Sequence, residues 1–205
     1  MADAVIVAGA SGIVGGAVAR HEAARGREVI GLSRRPPSGD PAGRHIPVDL
    51  TDAADCRDKL GAVRGVSHLV YAALFEKPDL GAGWLEADQI ATNLLMLRNL
   101  LDALEHAGLQ HVTLLQGAKA YGVHLGQIPI PAREDAPRHL HPNFYWAQED
   151  LLRARQEAGC WRWTVQRSRW SSTAPTPAPS VPATLNRASS TSCNSPSVRA
   201  PAWNR

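Results

Sequence analysis

One tyrosine and one lysine have residue types and surroundings that suit acid–base chemistry. Tyr145 lies at the start of a predicted helix, in the segment NFYWAQED at 143–150. A free phenol has a pKa of about 10, so proton transfer at neutral pH needs a neighbouring cation. The chain has only three lysines, and Lys119 has the most suitable context because its segment, QGAKAYG at 116–122, follows an apolar run. We therefore predict Tyr145 and Lys119 as a catalytic pair. On residue types alone an alternative stands, in which Tyr145 packs among its aromatic neighbours and Lys119 is solvated.

A second candidate site is a glycine-rich segment near the N-terminus. Residues 9–15 read GASGIVG, follow a short apolar run and open an amphipathic stretch. Glycines at this spacing permit a tight turn, a close approach of a pyrophosphate to the backbone and close packing of helix on sheet. Amide groups at a helix start attract anions. The predicted phosphate-binding residues are Gly9, Ser11, Gly12, Ile13, Val14 and Gly15. The alternative is a turn that keeps its glycines only for packing.

The end of the second predicted strand indicates which dinucleotide would bind. An NAD site usually has an acidic residue there, whereas this chain has Ser33, Arg34 and Arg35. Arginines suit a ribose 2′-phosphate through charge-assisted hydrogen bonds, so we predict NADPH as the cofactor. Solvated surface arginines are the alternative. Asp49 and Leu50 follow the third predicted strand and are expected near the adenine ring, although Asp49 also suits a helix cap.

Apolar runs alternate with amphipathic segments through residues 1–167, which predicts one α/β domain with a Rossmann-type, doubly wound parallel sheet. The surest helix carries leucines at helical spacing, with Gly108 placed to end it. Predicted strands cover residues 4–8, 28–32, 45–48, 68–73, 111–115 and 162–166. Predicted helices cover residues 12–25, 53–60, 88–107 and 144–158.

Composition excludes several function classes. The net charge of +3 arises in residues 158–205, which contain six arginines and no lysine or acidic residue; residues 1–157 carry 16 basic and 19 acidic side chains. This distribution predicts no nucleic-acid partner. No apolar stretch is long enough to cross a bilayer, and the N-terminal apolar run leads directly into glycines, which is unlike a signal peptide. Three cysteines without metal-like spacing favour a reducing, cytoplasmic setting. We predict no metal site at His139 and His141 either, since no thiol or carboxylate cluster lies near them.

Residues 168–205 differ in composition from the rest of the chain. Of these 38 residues, 25 are Ser, Thr, Pro or Ala. A segment this poor in apolar side chains cannot bury enough surface to offset its ordering entropy, which predicts a disordered tail. A frameshifted tail is the interpretation that we favour, because the change falls directly after a good sixth strand and arginine outnumbers lysine by 19 to three.

Six motifs together resemble the progesterone 5β-reductase and iridoid synthase-like family of atypical extended short-chain reductases. They are GASGIVG, SRR, VDL, QGAKAYG, REDAPR and PNFYWAQED, spread between residue 4 and about residue 167. Most short-chain reductases have a lysine four residues after the tyrosine, but here that residue is Glu149. The resemblance implies NADPH-dependent reduction of a carbon–carbon double bond conjugated to a carbonyl. It also implies that Tyr145 donates a hydrogen bond to the carbonyl oxygen and that Lys119 supplies positive charge.

The chain departs from that family after Arg167, where members continue into a substrate-binding lobe. We therefore expect this lobe to be missing or replaced by the tail, and the chain to be an enone reductase by descent that is inactive if the lobe is essential. The expected partner is a small-molecule enone or carbonyl compound. Two alternatives stay open: another extended short-chain reductase or epimerase activity, and a non-catalytic NADPH-binding module. Glu149 and Asp150 are expected at the helix surface or as helix caps.

Overall fold

Six parallel strands form a single sheet in the computed structural model, which describes residues 4–37, 42–79, 82–158 and 161–167. The sheet order is β3-β2-β1-β4-β5-β6. The strands are β1 (Ala4–Ala8), β2 (Val29–Ser33), β3 (Arg44–Pro47), β4 (Val66–Tyr71), β5 (His111–Gln116) and β6 (Arg162–Arg167). The helices are α1 (Ile13–Ala24), α2 (Ala53–Leu60), α3 (Ala87–Ala103) and α4 (Phe144–Ala158), with short 3-10 helices at Ala82–Leu85 and Ala118–Tyr121.

The central strand β1 shows why apolar runs became strands. Its five residues are all buried, because β2 and β4 flank it and both faces of the sheet are covered. Ile6 belongs to the larger apolar cluster with residues of α2 and α3, whereas Val5 and Val7 belong to a smaller cluster with Ala19 of α1. The chain order reverses direction in the sheet at β1, which makes its carboxyl end the expected ligand crevice.

The predicted Rossmann-type fold is confirmed, and each predicted strand and helix is present. Most boundaries shift by one or two residues, as is usual at element ends. The prediction for α3 was wrong at its C-terminus, because the helix ends at Ala103 and not at Gly108. Tight turns come next, in which Glu105 N–H donates to the carbonyl of Asp102 and Ala107 N–H donates to that of Leu104. Gly108, with φ of 92°, lies beyond them, in the connection to β5.

Buried polar side chains on α3 hold the segment after β4 in place. Asn93 accepts from Phe75 N–H at 2.9 Å and donates to the Phe75 carbonyl at 2.8 Å. Gln89 accepts from Lys77 N–H at 2.9 Å. Both side chains are fully buried, so these bonds satisfy the Asn93 amide and the Gln89 oxygen, which would otherwise be costly to bury; Gln89 Nε2 has no hydrogen-bond partner among the described residues. The same bonds fix the backbone on either side of Glu76.

Among the described residues, no helix is both long and apolar enough to cross a membrane. The predictions about residues 168–205 fall outside the described ranges and stay predictions.

Candidate active site

The glycine turn at the end of β1 contains two glycines that packing requires and one that it does not. Gly9 has φ of 84°, and a Cβ there would lie 2.7 Å from the Ala72 carbonyl oxygen. A Cβ on Gly15 would lie 2.2 Å from the Gly9 carbonyl oxygen. Gly12 is exposed, and a Cβ there would meet only the Gly9 carbonyl oxygen, at 3.3 Å. Packing therefore explains Gly9 and Gly15, while Gly12 leaves an open approach to the start of α1.

The start of α1 has the features of an anion site. Gly12 is its N-cap and makes no side-chain capping bond, and the first turn contains no acidic residue. Ile13 and Val14 are 94% and 57% exposed, and Ser11 is also exposed. The amide groups at a helix start carry partial positive charge and need acceptors from outside the helix. Of the predicted phosphate-binding residues, Ser11, Gly12, Ile13 and Val14 therefore lie together on an open surface, whereas Gly15 is buried.

At the end of β2 the predicted 2′-phosphate ligands are arranged differently from the expectation. Ser33 Oγ donates to the Arg35 carbonyl at 2.6 Å and lies 2.9 Å from His45 Nε2. A hydroxyl has one proton, and here a carbonyl accepts it, so Ser33 cannot also donate to a phosphate in this arrangement. Arg34 and Arg35 are both exposed. Of the predicted trio, the two arginines are thus the groups free to meet an anion.

Asp49 and Leu50 follow β3 as predicted, and both make contacts within the protein that bear on their expected roles near the adenine ring or, for Asp49, as a helix cap. Asp49 Oδ1 accepts from Thr51 Oγ1 at 2.7 Å and from Thr51 N–H at 2.9 Å. These bonds, with the nearby charge of Arg34, lower the pKa of Asp49. The helix-cap alternative for Asp49 was wrong, because Asp52 caps α2. Leu50 is 6% exposed and lies in the core, where its carbonyl accepts from Asn99 Nδ2 at 2.9 Å.

Asn143 links the backbones of the two predicted catalytic residues. Its Nδ2 donates to the Lys119 carbonyl at 3.0 Å, and its Oδ1 accepts from Tyr145 N–H at 2.9 Å. Asn143 is 4% exposed, so both bonds are shielded from water. The side chain therefore ties the 3-10 helix after β5 to the first turn of α4. Its place directly before a helix was the signal for a cap, and sequence reasoning missed it.

Tyr145 is almost buried, and its hydroxyl lies next to the backbone of Gly117. The side chain is 8% exposed and packs with Phe144, Trp84 and Ala120. Burial raises the pKa of the Tyr145 phenol, which a backbone hydrogen bond with Gly117 partly offsets. The phenol therefore keeps its proton at neutral pH and can act as a hydrogen-bond donor. This state suits a group that donates to a ligand oxygen better than one that removes a proton.

Lys119 lies against Trp84 and Glu76, two residues that sequence reasoning missed. Its Nζ is 4.0 Å from the centroid of the Trp84 ring and 3.4 Å from Glu76 Oε1. Trp84 Nε1 donates to the same carboxylate oxygen at 2.7 Å, and the centroids of the Trp84 and Tyr145 rings are 5.3 Å apart. Trp84 therefore contacts both members of the predicted pair. Neither missed residue has a spacing signal, because each comes from the long connection between β4 and α3.

Glu149, where many reductases have lysine, is buried between two arginines. Its Oε1 accepts from Arg167 Nη2 at 2.8 Å and its Oε2 accepts from Arg138 Nη2 at 3.2 Å. Arg167 Nε also donates to Gln116 Oε1 at 3.1 Å, and Gln116 Nε2 donates to the Tyr145 carbonyl at 3.1 Å. The expectation of a surface or capping role for Glu149 was wrong, since its side chain is only 8% exposed. Asp150 is exposed, as expected.

A cavity of about 230 Å³ lies beside this ion-pair cluster. Tyr121, Trp146 and Arg167 are among its lining residues, together with the segment at 128–139. The Arg167 guanidinium carbon lies 5.5 Å from the Tyr121 ring centroid and 5.3 Å from that of Trp146. Tyr121 thus lies at this cavity.

His124 packs near the pair and gives a pH-dependent prediction. Burial, with the charges of His139, Lys119 and His141, lowers its pKa to about 4, and both ring nitrogens are buried without a hydrogen-bond partner in the described part of the chain. As the pH is lowered, an unfolded histidine takes up a proton at about pH 6.5, whereas His124 in the folded protein does so only at about pH 4. The free energy of unfolding should therefore decrease as the pH falls from about 6.5 to about 4. Phenylalanine in place of His124 should reduce this fall by roughly 1 kcal/mol, allowing for partial solvent access.

Urea unfolding of His124→Phe near neutral pH and at about pH 5 measures the effect. The control is His106→Phe, because His106 is exposed on the protein surface. An equal pH dependence in wild type and in His124→Phe would contradict the prediction.

Within the described ranges, no group of three or more His, Cys, Asp or Glu side chains is arranged to hold a metal ion.

The sheet order, the glycine turn and the open start of α1 define a dinucleotide-binding domain of the Rossmann type. Comparison with known proteins makes this assignment more specific. Residues 5–162 match the NAD dependent epimerase/dehydratase family, and the chain belongs to this family.

Curated relatives confirm the resemblance carried by the sequence motifs. An (S)-8-oxocitronellyl enol synthase of Camptotheca acuminata is 32% identical over 79% of this chain and 44% of the relative. A 3-oxo-Delta(4,5)-steroid 5-beta-reductase of Arabidopsis thaliana is 32% identical over 72% of this chain and 40% of the relative. Among solved structures, an NAD-bound short-chain dehydrogenase/reductase superfamily protein of Agrobacterium tumefaciens has a TM-score of 0.64 and 26% identity, covering 80% of this chain and 48% of that one. The chain spans less than half the length of these proteins.

Proposed function

We propose that this protein is an NADPH-dependent reductase of carbon–carbon double bonds conjugated to a carbonyl. The observation that carries the proposal is the placement of charge around Tyr145. The residue one helical turn later is Glu149, which is held by two arginines, whereas Lys119 after β5 contacts the same Trp84 ring as Tyr145. Two relatives with the same overall sequence pattern are named as an enol synthase and a steroid 5-beta-reductase.

The residues present fit a nicotinamide dinucleotide. The amide groups in the first turn of α1, from Ile13 onward, would hold the pyrophosphate, while Gly12 N–H already donates to the Gly9 carbonyl at 2.9 Å. The exposed Arg34 and Arg35 would meet a ribose 2′-phosphate. No acidic side chain lies at the end of β2 to hold a ribose 2′-hydroxyl, which supports NADPH over NADH. When bound, the cofactor supplies a hydride to the β-carbon of the substrate.

Tyr145 would stabilise the negative charge that then develops on the carbonyl oxygen. Because its raised pKa keeps the phenol protonated, the hydroxyl can donate a hydrogen bond to that oxygen as an enolate forms. The side chain is fixed by Asn143 at the backbone and by Trp84 at the ring. A preorganised donor in a water-poor site stabilises a developing anion more than water does.

Lys119 would add positive charge on the same side of the site. Its ammonium lies over the Trp84 ring, where a cation–π contact holds it, and Glu76 is its carboxylate partner. By resemblance to the family, this ammonium would help to hold the ribose of the dinucleotide. The two residues would therefore have different roles: Tyr145 would donate a hydrogen bond to the substrate, and Lys119 would supply positive charge.

The proposal is tested by measuring NADPH oxidation by the purified chain with 2-cyclohexen-1-one. Cyclohexanone is the matched control, because it has the same carbonyl without the conjugated double bond. The epimerase alternative is tested separately, by following the conversion of UDP-glucose to its 4-epimer in the presence of NAD⁺, because epimerisation oxidises no NADPH overall. We expect turnover with the enone alone. Turnover of the saturated ketone or the sugar nucleotide instead would point to the other reductase or epimerase activity. NADPH binding without turnover of any of them would favour a non-catalytic dinucleotide-binding module.

A further inference from the structure

One oxygen of Glu76 accepts hydrogen bonds from two side chains of the candidate active site. Trp84 Nε1 donates to Glu76 Oε1 at 2.7 Å, and the Lys119 ammonium donates to the same oxygen at 3.4 Å. Trp84 is 3% exposed, so its indole N–H needs an acceptor inside the protein. The Lys119 ammonium also lies 4.0 Å from the centroid of the Trp84 ring. Carboxylate, indole and ammonium therefore form a closed set of three contacts.

The position of Glu76 is fixed through the backbone on either side of it. The N–H and the carbonyl of Phe75 both bond to the Asn93 side chain, and the Lys77 N–H donates to the Gln89 side chain. Asn93 and Gln89 are fully buried on α3, so the loop is held to this helix before and after Glu76. A side chain whose backbone is fixed in this way can in turn determine where its partners lie.

The carboxylates of this connection are divided between two lysines. Glu86 and Asp88 both pair with the ammonium of Lys77, whereas Glu76 pairs with Lys119. Lys77 is the next residue in the chain after Glu76, yet its charge is already balanced by other carboxylates. The partner of Glu76 lies 43 positions away, in the 3-10 helix after β5. The pairing therefore holds the lysine of one loop to a second loop that α3 fixes.

The same carboxylate acts on Tyr145 through its charge. Burial raises the pKa of the Tyr145 phenol, and the negative charge of Glu76 raises it further. A carboxylate close to a phenol disfavours the phenolate, so it helps to keep the hydroxyl protonated. The Trp84 ring, whose N–H binds Glu76, also packs against Tyr145 with 5.3 Å between the ring centroids. Glu76 thus affects Lys119 by direct contact and Tyr145 by charge.

We propose that Glu76 is a positioning residue for the reduction, which holds the Lys119 ammonium on the Trp84 ring and keeps Tyr145 as a hydrogen-bond donor. The inference rests on the proposed reductase function and adds a residue that acts through the catalytic pair. Without the carboxylate, the cation–π contact alone would hold the long, flexible side chain of Lys119. A displacement of about 1 Å in a catalytic group can lower a rate by about 100-fold, so such a loss of position affects turnover.

Two variants separate the charge of Glu76 from its geometry. Glu76→Gln keeps an oxygen acceptor for Trp84 and removes the charge, whereas Glu76→Asp keeps the charge on a shorter side chain. Glu86→Gln is the matched control, because it makes the same change in the same connection at a carboxylate that pairs with Lys77.

The first readout is steady-state turnover of 2-cyclohexen-1-one as a function of pH. We expect kcat of Glu76→Gln to fall by about fivefold, while KM for the enone changes by less than about twofold. On the alkaline side, turnover of this variant should decline at lower pH than in wild type, because loss of the carboxylate makes the Tyr145 phenolate easier to form. Glu76→Asp should keep the wild-type alkaline limit, and Glu86→Gln should match wild type throughout.

The second readout is the NMR signal of the Lys119 side chain, which needs no turnover. The chain has three lysines, so their ¹³C-labelled ε-methylene groups can be resolved, and Lys119→Met identifies the signal of Lys119. An aromatic ring shields nuclei above its face, so the contact with Trp84 should shift this signal upfield. We expect the shift to shrink in Glu76→Gln and to persist in Glu86→Gln.

The two readouts distinguish failure of this inference from failure of the proposed function. A lower kcat together with a smaller upfield shift in Glu76→Gln supports the inference. Unchanged turnover in Glu76→Gln, or no upfield shift of the Lys119 signal in wild type, would overturn it while the reductase function stands. Equal losses in Glu76→Gln and Glu86→Gln would also overturn it, since they would indicate a general disturbance of the connection. Wild-type protein without enone turnover would overturn the proposed function and, with it, the role of Glu76 in the reaction.

Discussion

Tyr145→Phe is expected to lower turnover of 2-cyclohexen-1-one by about 100-fold or more, because the variant removes a preorganised donor at the developing oxyanion. NADPH affinity should be unchanged, since the ring that packs against Trp84 and Phe144 is retained. The raised pKa of the phenol predicts that the wild-type enzyme keeps this donor at neutral and mildly alkaline pH. Steady-state rates and calorimetric NADPH binding measure the two effects separately.

Two further variants make the Tyr145 result specific. Tyr121→Phe removes a hydroxyl from the neighbouring 3-10 helix, where the ring lies against Arg167, and should retain most of the turnover. Lys119→Met keeps an unbranched side chain against Trp84 and should lower turnover by about tenfold or more through loss of the charge. Tyr145→Phe with undiminished turnover would exclude the phenol as the donor. A loss in Tyr121→Phe as large as that in Tyr145→Phe would move the catalytic site towards the cavity at Tyr121.

The sheet was predictable because parallel strands leave a strong composition signal. Strands that are buried on both faces, such as β1, consist of apolar residues alone and are easily recognised. The end of α3 was not predictable from its leucines, because the helical pattern continues to Leu104 while the backbone already forms tighter turns. The hydrogen bonds at a helix end depend on the path of the adjoining segment in space, which periodicity does not record.

The glycine turn was also predictable, since Gly9 and Gly15 are required by close packing in any fold of this type and Gly12 leaves the start of α1 open. The contacts around it were not. Ser33 and His45 meet only because β2 and β3 pair in the register that places Ser33 beside Pro47 and Gly31 beside His45. Likewise, Glu76 reaches Lys119 only through the buried amides of α3 that hold its loop. A contact between residues 43 positions apart can be predicted only when the strand register and the path of the loop are known. Local sequence patterns determine neither of these.

The burial of Glu149 does leave a signal in the sequence, in the spacing of its neighbours on α4. Tyr145, Glu149 and Leu152 are spaced by four and three residues, which places them on one face of the helix. Leu152 is fully buried, so this face points to the core. A carboxylate on such a face requires cationic partners, and arginines at 138 and 167 supply them. Position 149 therefore has a different charge arrangement from that of other reductases, in which a buried carboxylate pairs with two arginines, and the lysine has not simply been lost.

Glu149→Lys is expected to destabilise the fold by about 3–5 kcal/mol or more, although it restores the lysine position common in other reductases. The new ammonium would face Arg138 and Arg167, of which Arg167 is only 15% exposed, so three cations would meet where one carboxylate balanced two. A typical domain is stable by about 5–15 kcal/mol, so the variant should lose a large part of its stability. Urea unfolding near neutral pH measures the change.

Asp150→Lys is the matched control, because it makes the same change of charge one residue later on α4. Asp150 is 60% exposed at the side chain and pairs with Arg138 at the surface, where such a pair contributes less than about 1 kcal/mol. The loss of stability in Glu149→Gln should be intermediate between those of Glu149→Lys and Asp150→Lys, since glutamine removes the negative charge without adding a positive one. A charge exchange, Glu149→Lys with Arg167→Glu, should recover part of the loss if the buried pair is the cause. Equal destabilisation by Glu149→Lys and Asp150→Lys would instead show that burial at 149 carries no special charge requirement. A lysine at position 149, as in other reductases, would then be compatible with this helix. The burial of Glu149 would no longer explain why the candidate catalytic cation of this protein is Lys119.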